Sequence, residues 1–203
     1  MAEYYHNLVT DKSFQILQDF KRRYDFILIG GWAVYLFAKN LKSKDIDCIV
    51  DHSALQKIRV AHTLVKNERL KKYEIHIEEI DIDIYVRHYS DLGIPIEAIE
   101  EHTVQREGFV LPRPEILLLL KQKAYADRQG TPKGEKDRID IVSLLTRVPD
   151  FDWGFYKKII IQQHCAFRAK ELHTLMTSVT AVPELDLNQH SYSRWKKKIL
   201  AEL

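Results

Sequence analysis

Two short strand-like stretches, each built on the triplet Asp-Ile-Asp, constrain this chain more than any other feature. Asp45-Ile46-Asp47 follows a Gly30-Gly31 pair, and Asp81-Ile82-Asp83 lies in a later β-branched run. Successive side chains of a strand point to opposite faces, so Asp45 and Asp47 share one face while Ile46, Cys48 and Val50 share the other. By the same count Asp81, Asp83 and Tyr85 oppose Ile82, Ile84 and Val86. If the two strands are neighbours in one sheet, three or four carboxylates converge on one patch. Carboxylates that close do not all stay ionised without a counter-charge. A hard divalent cation, Mg²⁺ or Mn²⁺, is the usual partner, and such ions commonly hold substrate phosphates as well. The implied chemistry is that of nucleotides.

The segments around these triplets set the organisation. Asp11 reads as the N-cap of a helix reaching Tyr24, on apolar residues spaced by three and four. Phe26-Ile27-Leu28-Ile29 reads as a buried strand stopped by the glycine pair, with a helix over 32–39 beyond the turn. A strand over 45–50 comes next, then a helix capped by Ser53 that runs through Leu55, Ile58, His62 and Val65. Residues 73–77 alternate like a half-solvated strand, and a second strand follows over 80–86. With only Glu78-Glu79 between them, a tight hairpin and one long bent strand are both open. A short helix over 96–101 and a small hairpin over 103–111 complete the first half. Helices are then expected over 115–128, 135–145, from Asp150-Phe151-Asp152 onward, over 166–178 and over 191–202. The fold class is therefore α/β (α+β): a mixed-sheet core over 1–111 and a C-terminal helical lobe over 112–203.

Composition narrows the classes. At 203 residues and 45% hydrophobic, the chain can bury a core without disulfides or structural metals. Its net charge of +2 gives no global signature of nucleic-acid binding, so any basic site has to be local. Cys48 sits on the apolar face of a predicted strand and reads as core, and neither it nor Cys165 belongs to a zinc or redox motif. The N-terminus has no basic start followed by an apolar stretch, and apolar runs such as 116–120 are far too short to span a bilayer. A soluble, cytoplasmic protein with no membrane partner is the expectation.

The ordered set Ile29-Gly30-Gly31, thirteen residues, Asp45-Ile46-Asp47 and a later-strand Asp83 resembles the nucleotidyltransferase superfamily of the DNA polymerase beta type. Leu119-Leu120-Lys121-x-x-Ala124, Arg128, Lys133-Gly134 and Lys136-Asp137-x-x-Asp140-Ile141 resemble the helical half of AbiEii-type toxins and related minimal enzymes. The resemblance implies a Mg²⁺-dependent transfer of a nucleoside monophosphate from an NTP to a hydroxyl, with release of pyrophosphate. The acceptors it allows are a tRNA 3′ end, a protein side chain or a small molecule. Glycines at 30 and 31 let the backbone approach a triphosphate, and the following helix start presents N–H groups to it. Ser43 could donate to a phosphate oxygen. Asp45 and Asp47 would hold metal, and Asp83 would complete a second metal site, with Asp81 on the same face as the alternative. Lys121, Tyr125 and Arg128 fall at i, i+4 and i+7, one helix face that could offset phosphate charge and stack a base, and Lys136 could extend it.

Other readings fit parts of the pattern. An Asp-Ile-Asp strand is also what an ordinary half-solvated sheet shows. A non-catalytic module of this fold, antitoxin-like or regulatory, is the main alternative, and a metal-dependent phosphohydrolase is a third. The nine histidines show no metal-ligand spacing, and Arg194-Trp195-Lys196-Lys197-Lys198 reads as a solvated terminal helix rather than an RNA contact.

Overall fold

The computed structural model describes residues 2–185 and 189–203. They form two compact units, Met1–Arg113 and Pro114–Leu203.

The first unit is built on a seven-stranded sheet. In chain order it runs α1 (Ala2–Arg23), β1 (Ile27–Ile29), α2 (Gly30–Ala38), β2 (Ile46–Ile49), α3 (His52–Ala61), β3 (Val65–Asn67), β4 (Lys72–Ile77), β5 (Ile80–Tyr85), α4 (Ile96–Glu100), β6 (Thr103–Arg106) and β7 (Phe109–Pro112). The sheet order is β3-β4-β5-β2-β1-β7-β6, with β2–β5 and β1–β7 parallel and the other neighbours antiparallel. Burial explains the central strands. Ile46, Ile82 and Ile75 form one cross-strand row, and all three are wholly buried. Cys48 and Ile84 form the next row and are buried as completely, so one face of the sheet is continuous apolar core. Helix α1 packs on α2 through Phe14 and Trp32, whose ring centroids lie 5.0 Å apart. The buried Trp32 indole donates to Ser13 Oγ at 2.9 Å, which satisfies its one polar atom.

Several local expectations change. Helix α1 starts at Ala2 rather than at Asp11, which lies mid-helix and pairs with Lys42 at 2.6 Å. Helix α3 is capped by Asp51, whose side chain accepts from Ala54 N at 2.6 Å, and not by Ser53. It ends at Ala61, and Val65 belongs to β3, where pairing with β4 overrides the helical spacing. Residues 72–85 form a hairpin, closed at Glu78-Glu79 with Glu78 at φ 55. Glu107-Gly108, both at positive φ, close the second hairpin.

The second unit is helical: α5 (Pro114–Asp127), α6 (Pro132–Arg147), α7 (Trp153–Gln162), α8 (Phe167–Ser178), a 3₁₀ turn (Pro183–Leu185) and α9 (Gln189–Glu202). The break after α5 is shorter than the glycines suggest. Pro132 already occupies the first turn of α6, and the Thr131 side chain caps it by accepting from Gly134 N at 3.1 Å. Asp152 caps α7 by accepting from Phe155 N at 2.9 Å. In the basic stretch of α9, Lys196 donates to the carbonyls of Thr177 and Val179 at 2.7 and 2.9 Å, closing the end of α8. Among the described residues no helix is long and apolar enough to cross a membrane.

Candidate active site

One row of the sheet carries the chemistry. Asp47 stands beside Asp83 in the parallel β2–β5 pair, and Asp83 stands beside Glu74 in the antiparallel β4–β5 pair. Cross-strand partners project to the same face, so the three carboxylates line up opposite the isoleucine core. Asp45 immediately precedes β2 and is half-buried. Asp81 pairs with His76 one row away, their side chains 2.5 Å apart and largely exposed.

Asp47 is aimed by the main chain. Gly30 opens α2 at φ +68, and a Cβ there would fall 2.1 Å from Asp47 Oδ2. The carboxylate therefore fills the space a side chain would occupy, at a left-handed position that glycine adopts without penalty. Helix α2 has no side-chain cap and no acidic residue in its first turn, so its positive end meets the Asp47 carboxylate.

Asp83 is the electrostatically stressed member. Burial, and then repulsion from Asp47, push its pKa up to about 6, against the pull of Lys72. Lys72 Nζ lies 2.5 Å from Asp83 and 3.0 Å from Glu74, with its side chain only 12% exposed. Burial alone would lower the Lys72 pKa, but the two carboxylates more than offset it and hold the amine above its ordinary value. Glu74 is likewise half-desolvated, yet hydrogen bonds from Lys72 and Asn67 keep its pKa below the usual range. The Asn67 amide reaches Glu74 at 2.9 Å. Cys48, beneath this row, is wholly buried, and desolvation followed by the charges of Asp47 and Asp83 raises its pKa well above normal, so it stays a thiol.

Among the expected site residues, Asp47 and Asp83 come together in register beside Gly30, while Gly31 and Ser43 are buried nearby in sequence. Lys121, Tyr125, Arg128 and Lys136 belong to the helical unit. There Lys121 is buried and ion-paired with Asp137 at 3.1 Å and Asp140 at 2.7 Å. Arg128 holds the same Asp137 through Nε and Nη2, at 2.5 and 2.9 Å. Burial raises the Asp140 pKa, opposed by Lys121 and, more weakly, by Lys136. Tyr125 lines a cleft of about 460 Å³ with Gln129, Phe167 and Lys170.

Lys72, Glu74 and Asn67 did not stand out in the sequence. The signal was available: Lys72, Glu74 and His76 alternate along a strand, hence on one face, one residue earlier than the strand reading began. Among the described residues no group of three His, Cys, Asp or Glu side chains is arranged to hold a metal ion. A Mg²⁺ bound with its substrate needs fewer protein ligands. It usually takes one or two carboxylates and completes its shell with water and phosphate oxygens, a demand the Asp47–Asp83 pair fits.

No protein-family model matches the chain, and no curated protein is significantly similar to it. Solved structures are. JHP933 from Helicobacter pylori is 15% identical, with a TM-score of 0.51 over 97% of this chain and 92% of its own. A structure of a provisionally named nucleotidyltransferase from H. pylori is 15% identical, with a TM-score of 0.55 over 97% of this chain and 95% of its own. At such identity the likeness is one of fold. The mixed seven-stranded sheet with its helices is a nucleotidyltransferase-like fold.

Proposed function

We propose that the protein transfers a nucleoside monophosphate from an NTP to a hydroxyl acceptor, with Asp47 and Asp83 at the reaction centre. The observation that carries this reading is the in-register Asp47–Asp83 pair beside the glycine start of α2, in a fold shared with a structure named as a nucleotidyltransferase. A divalent cation held by Asp47 and Asp83, with Asp45 at the strand entry, would neutralise phosphate charge and polarise the attacked phosphorus. The chain's own groups then have separate tasks. Gly30 leaves room for the Asp47 carboxylate itself, and with no side chain at Gly31 either, the phosphates of a nucleotide held by the same cation would lie near the positive end of α2. Ser43 can donate to one of them. Asp83, at the edge of the ion site, would orient the acceptor hydroxyl toward the α-phosphorus, and the hydroxyl proton leaves to a carboxylate or to water. The hydroxyl oxygen bonds to the α-phosphorus as the bond to pyrophosphate breaks. The resemblance of residues 119–141 to toxin-type enzymes favours an RNA 3′ end or a protein hydroxyl as acceptor.

The test is incubation with each labelled NTP, Mg²⁺ or Mn²⁺, and tRNA or total protein as acceptor. Wild type should label an acceptor and release pyrophosphate, and Asp47→Asn and Asp83→Asn should lose at least about 100-fold in rate, as removal of a charge-stabilising group does. Equal labelling by all three proteins would remove these residues from the chemistry. Mg²⁺-dependent release of nucleotide without labelling would indicate a hydrolase, and no turnover would leave a binding module.

A further inference from the structure

The row that holds the proposed centre contains three carboxylates, Asp47, Asp83 and Glu74, and one ammonium, Lys72. With all four charged, the row carries a net charge of minus two, the complement of one divalent ion. Lys72 does not sit between Asp47 and Asp83. It bridges Asp83 to Glu74, at 2.5 and 3.0 Å, and the Glu74 oxygen it holds, Oε1, also accepts from the Asn67 amide at 2.9 Å. The three side chains are mostly enclosed, at 12% exposure for Lys72, 17% for Asp83 and 23% for Glu74, so these charges are weakly screened.

We infer that Lys72 is a built-in counter-cation, positioning Asp83 in the ion-free protein and yielding that carboxylate, while staying on Glu74, when a divalent ion binds. The inference rests on the reading of Asp47 and Asp83 as ion ligands. Its physical basis is the shared lysine. A lysine held by Asp83 alone would be stranded once the ion took its partner, at the cost of an unpaired, poorly hydrated charge. Here the second hydrogen bond already exists, so the exchange needs no travel of the side chain and leaves no orphan. Glu74 thereby sets how readily the site accepts an ion. Without it, Lys72 has only Asp83 to hold.

The two substitutions have opposite expected effects. Lys72→Met removes the competitor and deepens the negative field, so Mn²⁺ should bind about tenfold tighter, the effect expected of one enclosed charge. Glu74→Gln removes the charge that would keep Lys72 paired once Asp83 is taken, so Lys72 holds Asp83 more strongly and Mn²⁺ binding should weaken several-fold, on the order of the loss of one such charge. The measurement is Mn²⁺ titration of the full chain by calorimetry and by the electron paramagnetic resonance signal of free Mn²⁺, with Asp83→Asn alongside. The thermal midpoint of each variant with and without Mn²⁺ gives a second readout that does not depend on turnover. Tighter binding by Lys72→Met and weaker binding by Glu74→Gln support the inference. Unchanged or weaker binding by Lys72→Met, with wild type still binding and Asp83→Asn not, overturns the role of Lys72 and leaves the proposed centre standing. Absence of binding by wild type and Lys72→Met alike overturns both.

Discussion

Replacing Asp83 by Asn should make the ion-free protein more stable at neutral pH, although it removes a residue proposed to be essential. A carboxyl whose pKa is higher in the folded than in the unfolded state binds its proton more tightly when folded. The folded state is therefore penalised as pH rises from the ordinary value of 3.8 through about 6, and the full penalty stands above that. The gap between 3.8 and about 6, at about 1.36 kcal/mol per pH unit, sets a ceiling of about 3 kcal/mol. Residual exposure of the side chain, 17%, reduces this through solvent screening, so a gain of about 1–2 kcal/mol is expected. For a chain of this size that raises the thermal midpoint by about 3–6 °C. Lys72 keeps Glu74 and can still donate to the Asn carbonyl, so no charge is orphaned. The assay is thermal denaturation followed by circular dichroism, with a chelator present, at pH 7.5 and pH 4. The gain should be present at pH 7.5 and mostly lost at pH 4, where Asp83 is protonated in the folded wild type and already partly protonated when unfolded. A variant less stable than wild type at pH 7.5, or a gain independent of pH, would refute the claim that Asp47 and burial strain Asp83.

Four further substitutions test the supports. Gly30→Ala combines a left-handed backbone with a Cβ 2.1 Å from Asp47 Oδ2, so urea denaturation should show a loss of about 2 kcal/mol or more. Gly108→Ala, whose Cβ meets only the mobile tip of Lys21, should lose about 1–2 kcal/mol, the backbone part alone. Lys121→Met leaves Asp140 buried without its counter-charge and should cost about 3–5 kcal/mol at pH 7.5, shrinking as the pH falls and Asp140 gains a proton. Thr131→Val removes the cap of α6 and should cost about 1 kcal/mol by the same measurement.

What could be read from the letters was whatever a local period encodes. Alternation in 45–50 and 80–86 gave the strands and their two faces, and Glu107-Gly108 gave a hairpin because glycine announces a positive φ. Glu78 occupies a positive φ with no such announcement, so the hairpin at 78–79 and a single bent strand looked alike. Val65 followed Leu55 and Ile58 at helical spacing, and only the long-range pairing of β3 with β4 makes it a strand residue. Asp81 and Asp83 share a face by alternation. Which of them stands beside Asp47 depends on the β2–β5 register, which is a tertiary property. Lys121 illustrates the converse: helical spacing gives its face, but burial against Asp137 and Asp140 comes from packing of α5 on α6.

The alignment of Asp47 with Asp83 is fixed by ladder hydrogen bonds between two strands and not by the chain that joins them. That connecting stretch is therefore free to vary in length at its exposed links, where α3, β3 and β4 are left untouched. The exposed link at Thr63, between α3 and β3, is the natural place for an inserted loop or a reporter peptide.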